Sequence, residues 1–136
     1  MPVAEEVKSL LESYYRAIEG GEPLDYFYAS DEEAGALGPV VKVGSGADEF
    51  YVGSAAVVAA VRKVTETLTE NRLESRGPLQ VRVISSGGLA LFADKVWWSG
   101  VADGKRFGSL TRWTGVAVRM RDGWCFLQLH VSEEVA

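Results

Sequence analysis

Apolar side chains recur every three to four residues over the first twenty positions of the chain. This period predicts an amphipathic helix with one buried face. The helix is expected to end at Gly20-Gly21, because glycine readily takes the left-handed conformation that terminates helices. Its buried face consists of Val7, Leu10, Leu11, Tyr14 and Ile18.

The same period returns after Ser54, whose hydroxyl suits the N-cap of a second long helix. Between the two helices we expect a short helix over residues 23–28, a short strand over 37–43 and a loop over 44–53. The second helix is expected to end near Asn71, and its apolar face consists of Val57, Val61, Val64 and Leu68.

The period changes to two after Gly77-Pro78, which predicts β-strands. Four strands are expected, over residues 79–83, 89–98, 107–120 and 124–132. The turn sequences between them are Ser85–Gly88, Asp103-Gly104 and Asp122-Gly123. Helices followed by consecutive hairpins predict an α+β fold with a bent antiparallel sheet and helices on one face.

The last two strands show one apolar face and one mixed face. If Asp122-Gly123 is a two-residue loop, Arg121 pairs with Trp124 and alternate residues share a face. The apolar face, expected beneath the helices, carries Thr114, Val116, Val118, Met120, Cys125, Leu127, Leu129 and Val131. The mixed face favours a homodimer interface; its predicted residues are Trp113, Trp124, Phe126 and His130.

Asp94 and Arg112 are the charged residues that this arrangement singles out. A turn centred on Gly87-Gly88 places Asp94 on an apolar face, where an unpaired carboxylate costs several kcal/mol. Asp94 is therefore an acid–base candidate, a salt-bridge partner of Arg112, or an exposed residue in a register shifted by one. Arg112 lies beside Thr114 at the rim of the predicted pocket, or it covers the strand as a surface side chain.

The two hairpins give conflicting positions for Asp94. Pairing through Asp103-Gly104 sets Asp94 opposite Trp113, on the face assigned to the interface. Both assignments hold only if a β-bulge intervenes, and Gly100 or Gly108 is the expected position for it.

Composition narrows the function classes. The 136 residues predict a single domain over 1–136, and a net charge of −5 argues against nucleic acid and anionic membranes as partners. No apolar run approaches the length of a membrane span, and no signal peptide is recognisable. One cysteine and one histidine favour a cytoplasmic protein with no metal and no cofactor.

Three segments of the chain resemble the NTF2-like superfamily, and more narrowly its SnoaL-like branch. They are Tyr14-Tyr15 with Gly20-Gly21-Glu22; the stretch 48–53, DEFYVG; and a closing hairpin with Arg112-Trp113-Thr114, Arg121–Trp124 and His130-Val131-Ser132. The resemblance implies a cone, in which a curved antiparallel sheet wraps around the N-terminal helices and leaves an apolar cavity. It also implies a homodimer through the outer sheet face.

The resemblance does not imply one activity, since the superfamily includes isomerases, cyclases, dehydratases, small-molecule binders and assembly domains. Ketosteroid isomerases place a hydrogen-bond donor at the position similar to Tyr14. They have an aspartate general base where this chain has Gly38, and without it their proton transfer fails unless Asp94 or Asp48 replaces it.

Three hypotheses of function follow. The first is a protein that binds a hydrophobic small molecule in a mainly apolar pocket. The second is a cofactor-independent isomerase, cyclase or dehydratase acting on a hydrophobic cyclic substrate, with Tyr14 as donor and Asp94 as acid or base. The third is a dimeric assembly domain. The candidate ligand-binding residues are Tyr14, Tyr51, Asp94, Trp98, Arg112, Thr114 and Leu129.

Overall fold

The computed structural model describes residues 2–84, 86, 88–120 and 122–133. The helices are α1 (Val3–Gly20), α2 (Asp31–Ala34) and α3 (Ser54–Glu66), with 3-10 turns at Asp25–Phe27 and Gly35–Leu37. The strands are β1 (Val41–Val43), β2 (Phe50–Val52), β3 (Leu68–Ser75), β4 (Gln80–Ile84), β5 (Leu89–Ala102), β6 (Lys105–Met120) and β7 (Gly123–Glu133).

These seven strands form one curved sheet in the order β2-β1-β7-β6-β5-β3. β3 and β4 pair in succession with one edge of the long strand β5. β1 runs parallel to β7, and the other pairs are antiparallel. The predicted α+β class, with a curved sheet and N-terminal helices, is confirmed, although one strand pair makes the sheet mixed.

The first helix forms as the sequence predicts. Its apolar stripe is buried in the main core, against the face of the sheet that we call the inner face. The helix ends where Gly21 takes a left-handed conformation, with φ 66°. A side chain there would be strained, so glycine fits this position.

The second long helix is shorter than predicted. It ends at Glu66, and β3 begins at Leu68, so the expected continuation to Asn71 is wrong. Pairing of this segment with β5 outweighs the helical period of Leu68. The predicted loop over 44–53 also contains a strand, β2, which forms a hairpin with β1.

A β-bulge in β7 changes which side chains face inward. Ala117 pairs with Phe126, but the next pair along is Val116 with Gln128, so Leu127 is an extra residue. Because strand side chains alternate, one extra residue reverses the faces of β7 beyond it.

The predicted faces of this hairpin are therefore wrong over much of its length. Trp113 and Phe126, expected on an outer interface, lie in the main core at 1% and 0% exposure. Val118 and Cys125, expected beneath the helices, instead belong to a separate cluster with Ala29. Arg121, whose predicted pairing with Trp124 set this register, lies outside the described residues.

The conflict over Asp94 has a simple resolution. Asp94 pairs with Trp113, as counting through Asp103-Gly104 predicts, and β5 and β6 pair without a register shift at Gly100 or Gly108. Both residues face inward, so the error lay in the face assigned to Trp113.

The β4–β5 hairpin is also displaced from prediction, because Val81 pairs with Phe92 rather than with Asp94. This shift of two residues leaves Asp94 on the inner face. Ser85 and Gly87, which belong to the predicted turn, lie outside the described residues.

Candidate functional site

A small cleft lies between the β1–β2 hairpin, α3 and the inner face of the sheet. Its volume is about 40 Å³. Three of the predicted ligand-binding residues line it: Tyr14 from α1, Tyr51 from β2 and Trp98 from β5. Two charged residues, Lys42 and Glu49, line it as well, and the remaining lining is apolar or aromatic.

Strand register explains why Lys42 reaches this cleft. Lys42 pairs with Tyr51 across the β1–β2 hairpin and with Leu129 across the parallel β1–β7 pair. Residues that pair across strands share a face of the sheet. Leu129 is fully buried in the core, so Lys42 projects from the inner face.

Lys42 and Glu49 do not neutralise each other directly. Lys42 makes no hydrogen bond or ion pair with the described residues, and burial lowers the pKa of its amine, an effect that the nearby Glu49 charge partly opposes. Glu49 accepts a hydrogen bond from the Gly46 N–H through Oε2. The cleft thus contains an amine and a carboxylate that are not bound to each other.

Tyr14 is buried in the core, as predicted. Its ring packs edge-on against the rings of Phe27, Trp113 and Phe126, with centroid distances of 5.3, 6.0 and 4.9 Å. Its hydroxyl is hydrogen-bonded to the hydroxyl of Tyr28. Burial raises the pKa of both phenols, which keeps them protonated.

Asp94 is buried at 6% exposure, and its oxygens are fully engaged. The Tyr15 hydroxyl donates to Oδ2 at 2.9 Å, while the Ser75 hydroxyl and the Lys95 N–H donate to Oδ1 at 2.9 and 3.0 Å. Asp94 lines neither the cleft nor the groove described below. Its hydrogen bonds connect α1, β3 and β5.

Trp98, which lines the cleft, is held in place by a chain of two hydrogen bonds. Its indole Nε1–H donates to Asn71 Oδ1 at 2.6 Å, and Asn71 Nδ2 donates to the Ile18 carbonyl at 3.2 Å. This chain of hydrogen bonds fixes the indole ring between β3 and the end of α1.

The other predicted ligand residues do not reach the cleft. Arg112 and Thr114 are exposed and lie on the opposite face of β6 from Trp113. The prediction that they form the rim of the pocket is therefore wrong. Leu129 pairs with Lys42 across β1 and β7 and is buried in the core.

Sequence reasoning missed Lys42 and Glu49. A lysine between Val41 and Val43 in a predicted strand is a recognisable signal, because it breaks the apolar run. Its inward direction depends on the parallel pairing of β1 with β7, which joins segments about 90 residues apart and has no local signature.

A second and larger cavity is an open groove of about 1140 Å³ on the other flank of α1. It lies between α1, the segment 22–33 and the end of the β6–β7 hairpin. Its charged lining is mainly acidic: Glu6, Glu22, Asp25, Glu33, Asp122 and one basic residue, Arg16.

The described residues of the chain also bear on metal binding, membrane crossing and thiol chemistry. These residues contain no group of three or more His, Cys, Asp or Glu side chains placed to hold a metal ion. None of the helices they form has the length and apolar character needed to cross a membrane. Burial raises the pKa of the Cys125 thiol to about 11, which disfavours the nucleophilic thiolate.

Several solved structures share the fold of this chain. A candidate dehydratase of the NTF2-like family from Streptomyces avermitilis has a TM-score of 0.85 and 22% identity, covering 97% of this chain and 96% of that one. An NTF2-like superfamily protein from Salmonella enterica has a TM-score of 0.80 and 17% identity, covering 98% and 92%. A candidate scytalone dehydratase from Novosphingobium aromaticivorans has a TM-score of 0.80 and 10% identity, covering 97% and 84%.

No protein-family model and no curated protein matches the sequence. The structural likeness therefore defines the class through the fold: the chain has the NTF2-like, α+β cone fold. At these identities it assigns no activity.

Proposed function

We propose that this protein binds a small organic molecule in the cleft formed by Tyr14, Tyr51, Trp98 and Lys42. The observation that carries the proposal is convergence: four aromatic side chains, from α1, β2, β5 and β6, meet at one cleft with a single amine and a single carboxylate. An apolar lining with a few placed polar groups is typical of small-molecule sites.

The size of the cleft limits the ligand. Sites for drug-sized ligands are on the order of 300–1,000 Å³, whereas this cleft has about 40 Å³. The ligand is therefore a compound of a few non-hydrogen atoms. Such a compound gains at best about 1.5 kcal/mol per atom, so binding is expected to be weak.

A cofactor-independent isomerase, cyclase or dehydratase is the alternative. The similar structures named as candidate dehydratases favour it. Its expected acid or base, Asp94, has three hydrogen-bond donors and does not line the cleft. A hydrophobic cyclic substrate also exceeds the present cleft volume, so binding alone is the better-supported proposal.

The homodimer remains a proposal, with a corrected surface. The outer sheet face carries a row formed by Leu91, Val116 and Gln128, next to a row containing Thr114 and His130. Leu91 is 40% exposed. Such a mixed surface resembles the composition of dimer interfaces.

The binding proposal is tested by blocking the cleft. Ala60 of α3 lines the cleft, whereas the neighbouring Ala59 is exposed. Ala60→Leu should fill the space, and Ala59→Leu makes the same chemical change on the solvent side.

The probes are acetone, acetate and isopropanol, which match in size but present a carbonyl, an anion and a hydroxyl. Each is titrated into the millimolar range, and thermal stability is measured. We expect at least one probe to give a saturable stabilisation in the wild type and in Ala59→Leu, with the effect lost in Ala60→Leu. An equal response in all three proteins, or no response in any, contradicts the proposal.

A further inference from the structure

We propose that Lys42 is a covalent site for small aldehydes and ketones, which its amine binds as a Schiff base inside the cleft. The inference rests on the proposed function, since it uses the same cleft. It adds the chemical class of the ligand and the atom that holds it.

The position of the amine carries the inference. Lys42 is anchored on both sides within the sheet, by pairing with Tyr51 and with Leu129, so its side chain projects from a rigid element. It lines the cleft together with the aromatic rings of Tyr14 and Trp98. No hydrogen bond or ion pair to a described residue occupies the nitrogen, which leaves it available to an incoming carbonyl group.

The surroundings increase the fraction of the amine that is neutral. Burial lowers the pKa of Lys42, and the charge of Glu49 opposes this only in part. Tyr14 and Tyr51 are the other titratable groups of the cleft. The remaining lysines, Lys8, Lys63, Lys95 and Lys105, are exposed. Only the unprotonated amine is nucleophilic, so a lowered pKa increases the reactive fraction of Lys42 at a given pH.

Glu49 distinguishes a carbonyl ligand from an anionic one. A carboxylate ligand would place a second negative charge in the cleft beside Glu49, whereas an aldehyde or ketone adds none. Glu49 is fixed through Oε2 by the Gly46 N–H, and Oε1 has no hydrogen bond among the described residues. This oxygen is the group in the cleft suited to carry a proton.

The reaction balances without an oxidant or a cofactor. The Nζ lone pair attacks the carbonyl carbon, and the carbonyl π pair moves to oxygen. A proton passes from nitrogen to that oxygen through Glu49, giving a carbinolamine. The carbinolamine C–O bond then breaks as its hydroxyl takes a proton that Glu49 relays from solvent and leaves as water, while the nitrogen pair forms the C=N bond. The iminium nitrogen finally gives its N–H proton back to solvent through Glu49, so no net proton is consumed. The amine and the carbonyl compound thus yield an imine and one water.

The inference is tested by trapping the imine in the 136-residue chain. Acetaldehyde and sodium cyanoborohydride are added at neutral pH, so that any imine is reduced to a stable secondary amine. Peptide mass spectrometry then gives the initial modification rate at each lysine of the wild type. We expect Lys42 to react severalfold faster than the four exposed lysines, because burial lowers the pKa of its amine and the cleft holds the aldehyde beside it. This comparison needs no variant.

Ala60→Leu should remove the preference for Lys42, and Ala59→Leu should keep it. Modification of Lys42 at the rate of the exposed lysines, or more slowly, overturns the inference.

Lys42→Arg separates the inference from the proposed function. The arginine retains a positive charge but forms no imine under these conditions. If acetone stabilises the wild type and fails to stabilise Lys42→Arg, the inference is supported. If acetone stabilises both equally, the cleft binds without a covalent bond: the inference fails and the proposed function stands. If acetate stabilises both and no lysine is preferentially trapped, Lys42 serves an anion site and the inference again fails.

Discussion

At the scale of single residues, Asp94 accepts hydrogen bonds from Tyr15, from Ser75 and from the backbone N–H of Lys95. A buried carboxylate is costly unless its oxygens are satisfied, and here three donors satisfy them. The sequence singled out Asp94 and left open whether it lies on an apolar face or is exposed; the structure agrees with the first alternative. Its partners could not be predicted, because Tyr15 and Ser75 lie 79 and 19 residues away.

Asp94→Asn should therefore reduce stability rather than ligand binding. In the variant, the side-chain NH2 group would face one of the groups that donate a hydrogen bond to Asp94 in the wild type, and two donors cannot bond to each other. The expected loss is about 1–3 kcal/mol in the free energy of unfolding. Urea denaturation measures it, with the exposed Asp48→Asn as the control. A stability equal to that of the wild type, together with lost binding of a small probe, would contradict this structural role.

Glu6 gives a second prediction at the residue scale, which concerns how the stability of the fold depends on pH. Its carboxylate accepts hydrogen bonds from Trp124 and, at 2.8 Å, from Arg119. The Trp124 hydrogen bond is the main cause that lowers the pKa of Glu6 below its ordinary value of 4.5; Arg119 acts in the same direction, and partial desolvation opposes both. Because the folded-state pKa is depressed, this contribution to stability is present above about pH 4.5 and is lost as pH falls through the lower folded value.

Glu6→Gln should therefore be less stable than the wild type at pH 7, and the difference should shrink toward pH 3. Guanidinium denaturation at both pH values measures it. The exposed neighbour Glu5, changed to Gln, is the control. A difference that is the same at both pH values would contradict the assignment to the Glu6 carboxylate.

At the scale of elements, the bulge at Leu127 decides which side of β7 faces the core. The alternation in the sequence is correct for Leu129 and Val131, on one side of the bulge, and wrong for Cys125 and Phe126, on the other. One inserted residue leaves no compositional mark, so the pattern alone could not reveal it. The first helix, by contrast, has a sustained period and a glycine stop, and its prediction was confirmed.

Gly115, which pairs with Leu129 beyond the bulge, tests this geometry. A Cβ on Gly115 would lie 2.1 Å from the Gln128 carbonyl oxygen and 2.8 Å from Phe92 Cζ. The backbone oxygen is held in the sheet and cannot move away cheaply, so Gly115→Ala should cost about 3 kcal/mol of stability. Gly88→Ala is the control, because a Cβ there meets nothing within 4 Å. Equal stability of the two variants would show that β6 and β7 do not approach each other in this way.

At the scale of the whole molecule, the fold class followed from the sequence, whereas only part of the site did. Tyr14, Tyr51 and Trp98 were predicted and meet at the cleft. Arg112 and Thr114 were predicted but lie outside it. The difference arises because fold class depends on the order and period of elements, while a site depends on long-range register.

The corrected outer face makes a prediction about assembly. If it forms a homodimer, Leu91→Glu should dissociate it, because a carboxylate would be buried at the interface. Sedimentation velocity measures the molecular mass. Val83→Glu is the control, because Val83 is 46% exposed but pairs with Ala90 and so lies on the inner face, away from the proposed interface. A wild-type monomer, or a Leu91→Glu dimer, would contradict this interface.

The four tryptophans allow the most direct test of the central claim that the cleft is the binding site. Trp98 and Trp113 line the cleft, Trp124 lines the acidic groove, and Trp97 lines neither. Their indole N–H signals are resolved by ¹H–¹⁵N NMR while acetone, acetate or isopropanol is added. The signals of Trp98 and Trp113 should move saturably, with Trp97 and Trp124 unchanged. Movement of Trp124 alone, or of no indole signal, would contradict a binding site in the cleft.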